Sequence, residues 1–461
     1  MMTVQEAASL LHANWYGEDM FFKAVCTDSR QIEAGDLFVA LSGDRFDGHD
    51  YIEDAVSHGA VAALVAKNIE KTQFSQQLGW IQVPDVRLGL GHLASGWRDR
   101  FSIPLVAVTG SNGKTTVKEM IASIFARAIS NQLSSATNSP FDKVLATIGN
   151  LNNDIGVPIT LLRLRQQHIY AVIEMGMNHA GEIAYLTHLA KPNVAVITNA
   201  GAAHIAGLGS IEAVAYAKGE IFQGLAASGV AVINADDDYA QLWHRLAGDR
   251  QVISFGLKSK AQISADYRPS VLGNQWILKF PSEEREIELK VAGQHNVMNA
   301  LAAAATAFGA GVREQAIVEG LSAFDGVKGR MQKKRGLNQA ILIDDTYNAN
   351  PASVRAALSV LANLPGKKIL VLGDMGELGV DGAEMHRKIG EEARLAGIET
   401  LLSLGELSAN TAAGFGKGAI HFSNMDELLE EAEKLLDSNV TMLVKGSRFM
   451  KMERVIQRFE V

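Results

Sequence analysis

The stretch of the chain with the most evident chemistry is Thr-Gly-Ser-Asn-Gly-Lys-Thr-Thr at positions 109–116, which follows the apolar run Leu105–Val108. A glycine-rich turn between a strand and a helix presents backbone N–H groups to phosphate, and the helix N-terminus adds partial positive charge. Lys114 could reach the β- and γ-phosphates, and the Thr115 hydroxyl could bind Mg²⁺. The stretch departs from the general P-loop, because Val108 occupies the position of that pattern's first glycine. We predict an ATP-binding loop formed by Gly110, Ser111, Asn112, Gly113, Lys114, Thr115 and Thr116.

Three side chains further along could hold metal ions. Glu174 follows the apolar run Tyr170–Ile173, and ligands of open α/β sheets bind beyond the carboxyl ends of the strands, where a carboxylate could bind Mg²⁺. His204 could be a metal ligand or a substrate contact, although a lone histidine is more often a structural hydrogen-bonding group. Lys218 is by default a surface cation, but near a metal it could react with CO₂ to form a carbamate, which would suit a two-metal site.

A second group of residues could contact a nucleotide. The amides of Asn296 and Asn299 can offer adenine a donor and an acceptor together, and capping of a helix N-terminus explains them equally well. Arg330 is a candidate clamp for the γ-phosphate. Asp345, which follows another predicted strand, is a candidate acceptor for a ribose hydroxyl.

The elements that must position these residues fall into three α/β regions. Residues 1–102 read as a small α/β module, and Ile103-Pro104 marks its end. Residues 103–329 alternate helices with continuous apolar strands, as a parallel sheet covered on both faces requires. In that region the more polar stretch Ile253–Leu289 indicates an antiparallel edge hairpin or subdomain. Residues 330–461 restart the alternation and predict a Rossmann-like domain. The predicted strands of the last two regions are Leu105–Val108, Tyr170–Ile173, Val194–Thr198, Val230–Asn234, Ala340–Ile343, Lys368–Leu372, Thr400–Leu404 and Met442–Val444.

Composition narrows the functional classes. The chain has 461 residues, too many for one core, and its net charge of −8 disfavours a general nucleic-acid binder. A single cysteine, Cys26, excludes an internal disulfide and fits a reducing compartment. We see no signal-peptide pattern and no apolar run long enough to span a membrane, so we expect a cytoplasmic protein.

Taken together, these motifs resemble those of the Mur ligases, and the resemblance covers essentially the whole chain. Four segments match motifs that are shared broadly among the members of that family. They are the loop at 109–116, Glu174-Met175-Gly176, Lys218-Gly219-Glu220-Ile221 and His295-Asn296-Val297-Met298-Asn299. Three segments resemble those of the members that add D-alanyl-D-alanine: Gly149–Pro158, Asp344–Pro351, and Gly373–Gly379 together with Lys445-Gly446-Ser447-Arg448. The Asp-Asn-Pro-Arg signature of the diaminopimelate-adding ligase is missing from the sequence.

The resemblance implies three domains: a UDP-binding module, a central P-loop ATPase domain with a parallel sheet, and a C-terminal Rossmann-like domain. It implies joining of D-Ala-D-Ala to the carboxylate of UDP-MurNAc-tripeptide, with ATP and two Mg²⁺ ions, by a cytoplasmic protein that we expect to be a monomer. Lys114, Glu174, His204 and Lys218 would be catalytic, and Thr115, Glu174, His204 and carbamylated Lys218 would hold metal. Asn296, Arg330 and Asp345 would contact ATP. The implied contacts to the UDP-linked substrate are Ser29, Arg30, Ser42, Asn150, Asn152 and Asn153.

Two alternatives remain at this point. Another amide ligase of the same mechanism, either the diamino-acid-adding Mur ligase or a folylpolyglutamate synthase, would differ in its acceptor amine. A P-loop ATPase that acts as a switch would hydrolyse ATP without ligating anything, but it would not need the flanking first and third regions.

Overall fold

The structure, a computed structural model, describes residues 1–66, 78–132, 139–201, 205–267 and 275–461, with the side chains of 205 and 206 left out. Within these ranges, three larger sheets of five, nine and six strands are built in succession along the chain. Two short two-stranded sheets accompany the first of them. The chain therefore has the three-domain α/β organisation that the sequence predicts.

The first domain contains a five-stranded sheet of order β2-β9-β8-β5-β4, parallel except for the β2–β9 pair. Its strands are β1 Met2–Thr3, β2 Asn14–Tyr16, β3 Phe21–Phe22, β4 Ala24–Cys26, β5 Asp36–Val39, β6 Ser42–Gly43, β7 Phe46–Asp47, β8 Ala62–Val65 and β9 Gly79–Gln82. Its helices are α1 Val4–Leu11, α2 Ile52–Ser57 and α3 Val86–Arg98. Thr3 and Glu6 form a capping box that starts α1.

The second domain contains a nine-stranded sheet of order β11-β12-β10-β13-β14-β15-β16-β17-β18. Its strands are β10 Leu105–Thr109, β11 Val144–Ala146, β12 Tyr170–Glu174, β13 Val194–Ile197, β14 Val230–Asn234, β15 Gln251–Gly256, β16 Ile263–Asp266, β17 Gln275–Lys279 and β18 Glu284–Glu288. Its helices are α4 Lys114–Gln132, α5 Gly156–Leu162, α6 Glu182–Ala190, α7 Ile205–Leu208, α8 Ile211–Gly219, α9 Ala240–Ala247, α10 Gln294–Gly309 and α11 Glu314–Ala323. The alanines of α10 are buried, so this helix packs closely on the sheet and on α4.

The third domain contains a six-stranded sheet of order β19-β20-β24-β21-β22-β23, parallel except for the β19–β20 pair. Its strands are β19 Gln332–Arg335, β20 Ile341–Asp345, β21 Lys367–Gly373, β22 Thr400–Leu404, β23 Ala419–Phe422 and β24 Val440–Lys445. Its helices are α12 Pro351–Ala362, α13 Gly382–Leu395, α14 Ser408–Phe415, α15 Met425–Lys434 and α16 Glu453–Phe459. Asn350 caps α12, and Pro351 occupies its first turn, where a missing N–H costs nothing.

Hydrophobic packing joins the first two domains. One core runs from the first sheet through α3 to α5, α6 and the facing side of the second sheet. Two hydrogen bonds also join these domains. Trp97 Nε1 donates to the carbonyl of Leu164 at 3.1 Å, and Arg98 Nε donates to the carbonyl of Ala190 at 3.1 Å. The third domain has separate cores on the two faces of its sheet.

Most predicted strands are present, and the differences have physical causes. The prediction of an antiparallel stretch from Ile253 to Leu289 is right for β16–β18 and wrong for β15, which continues the parallel sheet. In the second and third domains, three strands lie outside both the predicted strands and the predicted antiparallel stretch: β11, β19 and β23. All three lie at the edges of their sheets, where an apolar run is not needed. No helix in the described ranges combines the length and apolarity needed to cross a bilayer.

The contact between α4 and α11 gives a first testable prediction. The carboxylate of Glu319 accepts hydrogen bonds from Arg127 Nε at 2.7 Å and from Asn131 Nδ2 at 2.9 Å, and a third from Gln315. The side-chain hydrogen bonds from Asn131, Gln315 and Arg127 lower the pKa of Glu319 to about 2. A carboxyl whose pKa is lowered on folding stabilises the protein above its unfolded pKa, and this contribution is lost as the pH falls towards 2.

We therefore expect Glu319→Gln to lower the free energy of unfolding by no more than about 1 kcal/mol at neutral pH, since the Arg127–Glu319 ion pair is partly exposed. The difference from the unsubstituted protein should shrink as the pH falls below about 4.5. Denaturant unfolding at about pH 7 and pH 4 measures it. Glu314→Gln on the same helix is the control, because the Glu314 carboxylate accepts only a long bond of 3.3 Å from Ser282 in the described contacts. A difference that grows in acid would contradict the prediction.

Candidate active site

The predicted phosphate-binding turn joins β10 to α4. Gly110 and Gly113 have φ of +151° and +84°, a region that favours glycine. A Cβ at Gly110 would lie 1.8 Å from Thr198 Oγ1, and one at Gly113 would lie 2.3 Å from Asn299 Oδ1. The turn therefore needs glycine both for its backbone and for the closeness of β13 and α10.

Lys114 begins α4 and faces a cavity of about 480 Å³ between the second and third domains. Its Nζ donates to the carbonyl of Gly110 at 2.8 Å, which holds the side chain back over the turn. Burial lowers the pKa of Lys114, and the nearby Glu174 carboxylate acts in the opposite direction. Anionic phosphate in this cavity would favour the charged amine.

Glu174 ends β12, whose register pairs it with Val108 on β10, so the predicted proximity to the phosphate-binding turn is confirmed. Its side chain is buried and lines the same cavity as Lys114. Oε1 accepts a hydrogen bond from Asn152 Nδ2 at 2.8 Å, whereas Oε2 is buried and has no hydrogen-bond partner among the described residues. A buried carboxylate oxygen without a partner is costly, and a cation would satisfy it.

These residues fit a magnesium ion in their donor chemistry. The Thr115 side chain and the Glu174 carboxylate line one cavity, and both present oxygen, the donor that Mg²⁺ prefers. The described residues contain no group of three or more His, Cys, Asp or Glu side chains placed to hold a metal. His204 lies outside the described residues, so the predicted set is described only in part.

Lys218 is on α8 and is buried rather than a surface cation. Its pKa is lowered well below the usual value, first by burial and then by the charge of Lys114. A neutral lysine amine is the form that reacts with CO₂. Lys218 is not among the described residues that line the cavity of Lys114 and Glu174.

A second cavity of about 300 Å³ lies next to the first and has the predicted nucleotide contacts in its wall. Asn296 and Asn299 lie on α10, where Gly293 is the N-cap, so the capping explanation for Asn296 is wrong. Asn296 Nδ2 donates to the carbonyl of Ala292 at 2.7 Å, and its Oδ1 accepts from Asn299 Nδ2 at 3.2 Å. Both amides are buried at the edge of this cavity.

The third domain closes the second cavity with Arg330 and Asp345. The guanidinium carbon of Arg330 lies 4.2 Å from the ring centroid of Tyr347, and its Nε is buried with no partner among the described residues. Arg330 lines both cavities, as a phosphate clamp between them would. Asp345 Oδ2 accepts a hydrogen bond from the buried Lys445 Nζ at 2.5 Å.

Sequence reasoning did not find this Lys445–Asp345 pair. Asp345 and Lys445 end neighbouring parallel strands in register, and Lys445 lines the smaller cavity. A lysine and an aspartate at the ends of two predicted apolar strands were the available signal. A direct contact between domains was also missed: Asn350 Nδ2 donates to Asn112 Oδ1 at 2.8 Å.

The segment from Gly149 to Pro158 contributes Asn150, Asn152 and Asn153 to the larger cavity. Asn153 Oδ1 accepts a hydrogen bond at 2.9 Å from the backbone N–H of Gly156, the first residue of α5. Asn152 is tied to the end of β12 twice, through Glu174 Oε1 and through its own carbonyl, which accepts from Gly176 N at 2.7 Å.

The three predicted contacts in the first domain lie away from both cavities. Ser29 and Arg30 follow the carboxyl end of β4, and Ser42 lies just beyond that of β5. The Arg30 guanidinium is paired with Asp28 at 2.8 Å, and Ser42 Oγ donates to Asp47 Oδ1 at 2.8 Å. These side chains share one edge of the first sheet, and an anionic ligand there would have to compete with Asp28 for Arg30.

Comparison with known families matches three models along the chain. They are the Mur ligase family catalytic domain over residues 22–98, the Mur ligase middle domain over 108–307, and the Mur ligase glutamate ligase domain over 329–448.

Among curated proteins, the chain is 40% identical to the UDP-N-acetylmuramoyl-tripeptide–D-alanyl-D-alanine ligase of Escherichia coli, covering 100% of this chain and 98% of the relative. It is 39% identical to the enzyme of that name from Haemophilus influenzae, covering 99% and 97%.

Solved structures give the same result. A crystal structure of MurF from Acinetobacter baumannii superposes with a TM-score of 0.90 at 35% identity, covering 99% of this chain and 98% of that one. MurF from Thermotoga maritima in complex with ADP has a TM-score of 0.82 at 26% identity, covering 96% and 98%. With family models over most of its length and relatives of this identity over all of it, the chain belongs to the Mur ligase family.

Proposed function

We propose that this protein is an ATP-dependent ligase that joins the amine of D-alanyl-D-alanine to the terminal carboxylate of UDP-N-acetylmuramoyl-tripeptide. The product is the pentapeptide precursor of peptidoglycan, with ADP and phosphate released. The observation that carries the proposal is the larger cavity, which Lys114, Glu174 and three asparagines (150, 152 and 153) line together with a loop of the third domain. The names of the relatives supply the two substrates.

A carboxylate is a poor electrophile, because its charge repels nucleophiles and oxide is a bad leaving group. In the proposed first step, a carboxylate oxygen attacks the γ-phosphorus of ATP, the bond to the bridging oxygen breaks and ADP leaves. Lys114 and Arg330, which both line this cavity, would offset the negative charge that develops on the phosphoryl oxygens. The result is an acyl phosphate on the substrate.

In the second step the neutral amine of the dipeptide attacks the acyl carbon and gives a tetrahedral intermediate. This intermediate collapses with loss of phosphate, and the ammonium proton passes to water or to the departing phosphate. The free amine has a pKa of about 8, so a weak base suffices near neutral pH. Closure of the third domain over the second, as in the Asn350–Asn112 contact, would exclude the water that hydrolyses acyl phosphates.

Magnesium, with two ions expected, would be held by Thr115, Glu174, His204 and carbamylated Lys218. Bound there, it would neutralise charge on the phosphates and favour in-line transfer. The unpartnered Glu174 Oε2 and the buried Lys218 amine support this assignment. Asn296 would contact adenine and Asp345 the ribose, and the first domain would hold the UDP group near Ser29, Arg30 and Ser42.

We expect the protein to work as a cytoplasmic monomer, and we propose domain boundaries at about 102 and 329 on the chain. The Mur ligase middle domain match begins at residue 108 and the glutamate ligase domain match begins at residue 329, which supports these boundaries.

The decisive experiment measures phosphate release from ATP with UDP-MurNAc-tripeptide, with and without D-Ala-D-Ala, and identifies the products by mass spectrometry. We expect release that depends on the dipeptide, together with a UDP-linked pentapeptide. Replacing the dipeptide with a diamino acid or with glutamate tests the other amide ligases. Phosphate release that neither peptide substrate changes would refute the ligase and favour an ATPase of another kind.

A further inference from the structure

A short loop of the third domain, Gly373–Gly379, forms one wall of the larger cavity. It begins at the last residue of β21, and its residues Gly376 and Glu377 line the cavity that also contains Lys114 and Glu174. The third domain lines the smaller cavity with other elements, chiefly α12 and the ends of β20 and β24. The loop therefore borders the reaction compartment rather than the compartment proposed for adenosine.

The backbone of this loop is held at two consecutive N–H groups by side chains. Met375 N donates to His386 Nε2 at 3.0 Å, and Gly376 N donates to Ser447 Oγ at 2.8 Å. The carbonyl of Asp374 accepts from Ser447 N at 2.9 Å. Of the two side chains that hold these N–H groups, Ser447 lines the cavity and His386 does not. His386 lies on α13 and is fully buried, so it supports the loop from the protein interior.

The hydrogen bond at Nδ1 of His386 determines whether Nε2 is a donor or an acceptor. Nδ1 lies 2.7 Å from the carbonyl of Gly382, which can only accept, so Nδ1 carries the proton and donates. Nε2 is then a lone-pair acceptor facing the Met375 N–H, which can only donate. Burial lowers the pKa of His386, which agrees with a neutral ring. The ring thus joins one turn of α13 to one peptide of the loop, and a residue without an acceptor there would leave a buried N–H unpaired.

We propose that His386 is a positioning residue for the acceptor amine: by holding the Met375 peptide, it sets the loop Gly373–Gly379 against which the incoming dipeptide binds. This inference rests on the proposed function. The second domain forms this cavity with the phosphate-binding turn, the segment with Asn150, Asn152 and Asn153, and the end of β12 with the residues after it. We assign the first two to ATP and to the UDP-linked peptide. The third domain supplies the remaining wall, in which the loop lies with Tyr347–Asn350 and Ser447–Phe449, and we place the second substrate on this wall.

Two substitutions separate the two hydrogen bonds of the ring. His386→Asn keeps a donor for the carbonyl four residues earlier, as Asn296 and Asn363 do for Ala292 and Ser359 at 2.7 Å, but it lacks an acceptor at the Nε2 position. His386→Gln has a longer side chain whose carbonyl oxygen can reach that position. His421→Gln is the control, since His421 pairs with Ser403 on the edge strand β23.

The experiment measures kcat and KM for each of the three substrates in the full-length enzyme, with the thermal midpoint of each variant. We expect His386→Asn to raise the KM for D-Ala-D-Ala about tenfold, with the KM for ATP and for UDP-MurNAc-tripeptide within about twofold of the original. His386→Gln should restore most of the acceptor KM, and His421→Gln should change none of the three.

A merely structural role predicts a different pattern, in which the asparagine variant loses active enzyme, so that kcat falls with every KM unchanged. That pattern, an equal rise in all three KM values, or failure of glutamine to restore the acceptor KM would overturn the proposal. Failure of the proposed function is distinguishable, because the unsubstituted enzyme would then form no pentapeptide from D-Ala-D-Ala.

Discussion

Lys114→Met is expected to lower ligase turnover by about a thousandfold while leaving the protein folded, comparable to the loss of a preorganised charge-stabilising group in other enzymes. The methionine keeps the apolar stem but removes the charge that faces the larger cavity. The side chain is half-buried. Its pKa is lowered by desolvation, so removing the charge should not destabilise the second domain. Phosphate release with all three substrates measures the effect, and the thermal midpoint reports the fold.

Lys367→Met provides the control for Lys114→Met. Lys367 is an exposed lysine at the start of β21, on the sheet of the third domain, so its removal should leave turnover unchanged. A Lys114→Met enzyme with near-normal turnover would refute the proposed phosphoryl transfer. A variant that melts much earlier would instead show that Lys114 supports the fold.

Glu174→Gln is expected to lower turnover by a similar factor, about a thousandfold at saturating substrates. Glutamine is nearly the same size, and its side-chain oxygen can still accept the hydrogen bond from Asn152 Nδ2. The substitution therefore removes the negative charge of the carboxylate and little else. Because Oε2 has no partner among the described residues, we attribute its function to a bound cation.

The measurement is turnover as a function of Mg²⁺ concentration, together with the affinity for ADP in the presence and absence of Mg²⁺. Glu174→Gln should lose the strengthening of ADP binding by Mg²⁺. Glu182→Gln is the matched control, since Glu182 lines the same cavity but its Oε2 accepts from the backbone N–H of Asn178 at 2.7 Å. Equal effects of the two substitutions would show that the cavity needs negative charge in general rather than a ligand at Glu174.

For two strands that are buried along nearly their whole length, sequence alone predicted both limits. β14 and β22 match the predicted Val230–Asn234 and Thr400–Leu404 residue for residue, because apolar side chains must continue along the whole strand. The strand β19, Gln332–Arg335, has no such pattern, since it pairs on only one side and its residues are at most half-buried. Its pairing with β20 depends on the assembled sheet.

The candidate site was predictable where all the residues of one function lie in a single segment, as in the phosphate-binding turn at 109–116. It was less predictable where the geometry depends on pairing between distant segments. Asp345 was predicted as a nucleotide contact, but its partner Lys445 is 100 positions away and meets it only through the β20–β24 register. The burial of Lys218 could likewise not be predicted from the residues around it in the sequence, since it arises from the packing of α8 in the second domain.

The two cavities share part of their walls, namely Asn112, Gly113, Arg330 and Ser353. A compound that fills the smaller compartment therefore ends beside the space that a compound in the larger one would occupy. Joining two weak fragments across Arg330 by a short linker would make the second binding step intramolecular and raise its effective concentration. Such a linked inhibitor would need both domains in contact, so it would hold the enzyme closed and discriminate against ATP-binding proteins that lack the third domain.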